Sequence, residues 1–144
     1  RSPVSTPELF EEYPFVFSNG RRTWEYFHAE HRHVQSLRDF HPDPLCDIND
    51  EDAAAYGIED GDWFWVENSF GKAKFCANVS PGVLKGTLNA EHAWWFPEAN
   101  PEDEGEGPYK TFISNANQLT SQCECGPSSF ASPRKTQICK IYKA

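Results

Sequence analysis

The sequence predicts a mainly β chain folded as a small barrel, and three observations carry that prediction. Short apolar runs recur through the chain, turn signals separate them at intervals of about ten residues, and only one brief, well-capped helix interrupts them. Phe15-Val16-Phe17-Ser18 is a first strand, and Asn19-Gly20 turns it. Residues 21–45 have no clean period, are dense in residues that stack and hydrogen-bond, and close at Pro42 and Pro44. Asn49 is a good N-cap for a two-turn helix over Asp50–Tyr56. Asp50, Glu51 and Asp52 load the positive end of its dipole, and Gly57 supplies the left-handed stop. Strands then follow over Trp63–Asn68, Lys72–Val79, Thr87–Ala90 and Gln137–Lys143, the second and last alternating polar and apolar as a half-buried strand does. Asn100–Gly107, with four acids and two glycines, is a solvated insertion loop. The Pro- and Ser-spotted residues 1–12 form a linker or terminal tail, leaving 13–144 as the barrel domain.

Composition narrows the classes of function. At 38% hydrophobic and 15% aromatic the 144-residue chain has the apolar load of a packed core, not of a disordered segment. Thirteen basic against 22 acidic residues give a net charge of −9, which excludes a non-specific nucleic-acid binder. No apolar window approaches the length of a membrane span, and Arg1–Thr6 lack the apolar stretch of a signal peptide. Five scattered cysteines in a chain of this length read mostly as free thiols. The absence of any methionine points to a piece of something longer.

Several chemistries fail on detail. His28, His31, His33 and His41 lie near Cys46, but Cys123-Glu124-Cys125 is a single tight pair rather than half of a zinc site. Arg38 also stands where a cupin-like site needs Glu after His31 and His33. A calcium loop over Asp47–Asp62 is ruled out by Asp52 at its required glycine and Ile58 at its bidentate glutamate. Neither a nucleophile elbow nor a Walker loop is present. What remains is an anion-binding constellation. Ser18-Asn19-Gly20 ends a strand where backbone N–H groups approach a phosphate closely, and Arg21 or Arg22 offers a bidentate grip. Trp24, Tyr26, Phe27, Trp94 and Trp95 are candidates to stack a planar ring, and Asn115, Asn117 and Gln118 to pair with a heterocycle edge.

Four segments in order carry a resemblance. They are Phe17-Ser18-Asn19-Gly20-Arg21-Arg22 with Phe27-His28-Ala29-Glu30-His31-Arg32; Ile48 to Val66; Ala90-Glu91-His92-Ala93-Trp94-Trp95-Phe96-Pro97-Glu98; and Ser114-Asn115-Ala116-Asn117-Gln118-Leu119-Thr120. Together the chain resembles the C-terminal molybdopterin-dinucleotide-binding domain of the dimethyl sulfoxide reductase family of molybdenum and tungsten enzymes. The His92–Glu98 segment is most similar to the branch of thiosulfate and polysulfide reductases, acetylene hydratase and catechol dehydroxylases.

The resemblance implies a double-psi β-barrel (aspartate decarboxylase-like) with a few short helices. It implies a domain that closes over the guanine-dinucleotide tails of a bis-molybdopterin cofactor holding molybdenum or tungsten. The metal ligand and any 4Fe-4S cluster would belong to upstream domains of the same chain, and an iron-sulfur electron-transfer subunit would be a partner. This chain alone would have no turnover. By matching motif, Ser18, Gly20, Arg21 and Arg22 would line the pyrophosphate, and His28 and Glu30 the next contacting loop. His92 and Trp94 would lie near the pterin or its phosphate, Asn115 and Asn117 near the pterin edge, and Arg134 or Lys135 at a late contact. Ala29 stands where many relatives have Ser or Thr, and Arg134 where they often have an aromatic. The alternative on the same barrel is a stand-alone substrate- or peptide-binding module without a redox cofactor.

Overall fold

The computed structural model describes residues 3–21, 23–121 and 135–144, with Arg21 described by its backbone alone. Six strands are present: β1 (Phe15–Arg21), β2 (Leu45–Ile48), β3 (Trp63–Glu67), β4 (Lys72–Val79), β5 (Thr87–Glu91) and β6 (Gln137–Lys143). They close into one barrel in the order β1-β5-β2-β4-β3-β6, and closure removes the unpaired edges an open sheet would expose. Two ladders, β1·β5 and β2·β4, are parallel and the other four antiparallel, so exchanging β1 with β4, β5 with β2 and β6 with β3 leaves the pattern unchanged. The expected double-psi barrel is therefore present.

Alternation along the strands builds the core. On β3, Phe64 and Val66 point inward while Trp63 and Trp65 face out, where Lys72 and Lys74 of β4 lie over their rings. Phe15, Phe17, Ile48, Phe75, Leu88 and Ile141 fill the interior with them. Cys46, Cys76 and Cys139 are buried, and Cys123 and Cys125 lie outside the described residues. Burial pushes the Cys76 thiol up to about 11, with the nearby carboxylates of Asp43, Asp60 and Asp62 adding to the effect.

Two elements depart from the sequence expectation. β2 falls where Asp47 and Ile48 read only as the lead into a helix, and a short helix α1 (Gln35–Phe40) occupies part of the stretch without a clean period. The predicted helix is α2 (Asp50–Ala55). Asn49 Oδ1 accepts from the N–H groups of Glu51 and Asp52, and Gly57 sits at φ +65°. Asn49 Nδ2 also donates to Val83 O, tying the helix start to the turn before β5.

Strand directions decide which ends meet. Because β1 and β5 are parallel and β6 runs against β1, the C-terminal ends of β1 and β5 share a rim with the start of β6. Following the ladders round, that rim also receives the turn from β3 to β4, and α2 lies at the opposite one. Replacing Asn49 by Ala removes the one oxygen that accepts two capping hydrogen bonds and leaves Val83 O without this donor. Asn49→Ala should cost about 1–2 kcal/mol, read from the urea midpoint at unchanged slope.

Candidate functional site at one rim of the barrel

Every predicted site residue that the structure describes belongs to a segment at this rim. The register of β1 on β5 runs Val16–Thr87, Phe17–Leu88, Ser18–Asn89, then slips by a bulge before Arg21 meets Glu91. The bulge falls at Asn19 and Gly20, and the backbones of Arg21 and Glu91 leave the barrel side by side. His92 follows at once, so the backbones of Arg21 and His92 emerge at one rim. Gly20 N–H donates to Asn89 Oδ1 at 3.3 Å, so it is engaged within the chain. The close approach that Gly20 permits comes instead from Lys135, whose Nζ would lie 2.5 Å from a Cβ placed there, with Ser18 Oγ at 3.6 Å.

Beyond the strand ends two loops meet. His28 Nδ1 lies 2.9 Å from His92 Nε2, and one ring donates to the other. Their backbones are strained. His28 at φ +52°, His31 at +68° and Ala93 at +54° all occupy the left-handed region, which costs a residue bearing a Cβ about 1–2 kcal/mol. Ala29 O accepts from Trp95 Nε1 at 2.6 Å, binding the two loops a second time. Glu30 is exposed beside this junction.

The aromatic candidates divide. Trp24 and Phe27 are exposed, and Phe27 packs edge-on against His28 at 4.4 Å. Tyr26 and Trp94 differ from the expected stacking surface: both are buried beneath the histidines, 5.7 Å apart and edge to face. The reason is Arg32, only 2% exposed, whose guanidinium lies 4.8 Å from the Tyr26 ring centroid and 4.5 Å from that of Trp94. Two planar faces clasping a buried cation leave neither ring free for a ligand on that side.

Asn115 and Asn117 are placed by a different device. Asn115 Oδ1 caps the turn Ala116–Leu119 by accepting from Asn117 N–H at 3.0 Å. That turn docks on the β3–β4 hairpin, where Asn68 Nδ2 donates to Leu119 O and Gln118 O comes within 2.7 Å of a Cβ built on Gly71. It therefore joins the same rim. Arg22 and Arg134 lie outside the described residues.

Sequence reasoning missed three contributors. Arg32 is one. The second is the buried contact of His41 Nε2 with Glu91 Oε1 at 2.6 Å, beside which Tyr26 Oη donates to His41 O. The third is Asn89, which holds Gly20 and donates to Asp47 Oδ2 at 3.2 Å, while Asp47 Oδ1 accepts from Asn78. Only their positions inside or beside recognised segments marked them. Among the described residues, no group of three or more His, Cys, Asp or Glu side chains gathers as a metal cluster would. A groove of about 440 Å³ lies between Trp63 and Trp65 on one side and Phe96 and Ile113 on the other, and none of its walls is a predicted site residue.

The molydopterin dinucleotide binding domain family model matches residues 15–136. The chain is similar to a dopamine dehydroxylase of Eggerthella lenta, 41% identical over 137 residues, which are 95% of this chain and 13% of that protein. It is similar to an acetylene hydratase of Syntrophotalea acetylenica, 32% identical over 68% of this chain and 13% of that protein. Among solved structures, acetylene hydratase from Pelobacter acetylenicus superposes with a TM-score of 0.92 at 26% identity, covering all of this chain and 20% of that one. These matches run with the cofactor-binding hypothesis and not with a stand-alone peptide-binding module.

Gly20 lies outside the left-handed region, and the atom nearest an added Cβ is the mobile end of Lys135. Gly20→Ala should therefore fold with an unfolding free energy, read from denaturant titration, within about 1 kcal/mol of the parent's, displacing only the ammonium.

Proposed function

Since the chain belongs to the molydopterin dinucleotide binding domain family, we propose that this rim holds the pyrophosphate and pterin end of a molybdopterin guanine dinucleotide. The observation that carries the proposal is the convergence of Ser18, Gly20, the Arg21 backbone, the His28–His92 pair and Lys135 where β1 and β5 end side by side. The donor set fits the group. Lys135 brings an ammonium into the space above Gly20, Ser18 supplies a hydroxyl, and the imidazole that accepts within the His28–His92 pair carries its own N–H on its other nitrogen. Exposed Trp24 and Phe27 give the same side an apolar surface that a covering domain would bury. Against a net charge of −9, this local gathering of cationic groups is what an anionic cofactor needs.

In this proposal the chain is the cofactor-covering domain of a longer oxidoreductase. Curated relatives of which it spans 13% leave room for upstream domains that would supply the metal ligand and a 4Fe-4S cluster. The cofactor is a bis-guanine dinucleotide carrying molybdenum or tungsten, and it supplies the redox chemistry when bound. An iron-sulfur subunit is the proposed electron partner. This chain's own residues bind and orient: Ser18, Arg21 and Lys135 hold phosphate oxygens, the hydrogen-bonded His28–His92 pair lies toward the pterin side, and Asn117 faces its edge.

The test uses the full-length protein. A charge-assisted hydrogen bond contributes about 1.5–3 kcal/mol, about ten- to a hundredfold in affinity. Arg21→Ala and Lys135→Ala should each lower the molybdenum and pterin retained through gel filtration severalfold. Lys85→Ala, which removes only an exposed ion pair with Glu51, should leave both unchanged. Full cofactor content in Arg21→Ala and Lys135→Ala would overturn the assignment.

A further inference from the structure

Arg32 does more than fill space beneath Trp94. Its Nη1 donates to the backbone carbonyl of His28 at 2.6 Å and its Nη2 to that of His92 at 3.4 Å. One planar guanidinium therefore grips, through main-chain oxygens, the two residues whose side chains meet above it at 2.9 Å. Those residues belong to separate loops and lie 64 positions apart in the chain. Both loops carry left-handed backbone where no glycine relieves it, at His28 and at Ala93. Such backbone persists only where its surroundings over-determine it. The Tyr26 and Trp94 faces fix the guanidinium plane from its sides, and Trp94 is itself fully buried against His41 and Phe96. Burial lowers the pKa of Arg32, the charge of Glu91 opposes that shift, and the like charge of Arg38 adds to it.

We infer that Arg32 is a positioning residue for the cofactor site, holding the His28 and His92 loops in register so that both imidazoles are presented to the ligand as one unit. The inference rests on the proposed function. It explains why a residue hidden from any ligand lies within the segment His28–Arg32. A lysine in its place would keep the charge but lose the fork that reaches two carbonyls and the broad cation that lies near both ring faces.

The experiment is carried out on the full-length protein, with pterin and molybdenum retained per chain as the readout and circular dichroism as the control for folding. Arg32→Ala and Arg32→Lys should each retain at least fivefold less cofactor than the parent while the spectrum is unchanged. Methylguanidinium at millimolar concentration, present during cofactor loading, should restore retention in Arg32→Ala, and methylammonium should not. If Arg32→Ala fails to fold, Arg32→Lys carries the same comparison. Parental retention in Arg32→Lys, or a loss in Arg32→Ala that methylammonium repairs as well as methylguanidinium, overturns the inference. Parental retention in the double variant His28→Ala/His92→Ala, with loss in Arg21→Ala, overturns it too but leaves the rim as the cofactor site. Parental retention in Arg21→Ala, Lys135→Ala and the histidine double variant together removes the proposed function itself.

Discussion

The parallel pairing of β1 with β5 is the constraint on which the rest of the structure depends. Once Phe17 lies against Leu88 and Ser18 against Asn89, both strands must leave the barrel at the same end. An antiparallel pair would have sent Arg21 and His92 to opposite rims. Parallel neighbours need a long connection, and here that connection is most of the barrel: β2, α2, β3 and β4 all lie between β1 and β5 in the chain. The same inner residues that complete the core, Phe17 and Leu88, therefore fix the register of the polar residues one step further along. A slip of one residue would turn Ser18 and Asn89 into the core and expose their apolar neighbours.

Above that rim the chain has accepted unfavourable terms to hold two loops together. Burying a guanidinium costs several kcal/mol unless it is paired, and left-handed backbone at His28, His31 and Ala93 adds further cost. The compensation is local. Arg32 gains two carbonyl acceptors, two aromatic faces and the nearby charge of Glu91, which in turn pairs with His41. Strain of this kind often lies where geometry serves a ligand; here left-handed backbone is found at His28, His31 and Ala93, and a second time at Tyr109 and Lys110. The outer face of β3 and β4 shows the opposite economy. Trp63 and Trp65 lie under lysine ammonium groups on an ordinary alternating strand, with no strained backbone among them.

Elements governed by local physics were legible in the sequence. The cap at Asn49 and the glycine stop at Gly57 each rest on residues close in the chain; β4 and β6 stand where their patterns place them, but three successive buried residues, 75–77 and 137–139, replace the expected alternation there. β2 was not, because Leu45–Ile48 is only four residues long and gains its identity from β4 and β5, its partners far along the sequence. The site divides in the same way. Gly20, His28 and His92 stand in recognisable segments. Arg32 had no local mark as a structural clamp, since its partners are main-chain oxygens of His28 and His92 and rings from two loops. Trp94 read as a stacking surface for the same reason: an aromatic in a motif does not announce which of its faces is already covered.

The central claim is that the dinucleotide lies against the rim where β1 and β5 end. A structure of the full-length protein with its cofactor bound tests this most directly. The account predicts pyrophosphate oxygens within hydrogen-bond distance of Ser18 Oγ and Lys135 Nζ, with the His28–His92 pair turned toward the pterin. A dinucleotide seated at the opposite rim beside α2, or in the groove between Trp65 and Phe96, would contradict it.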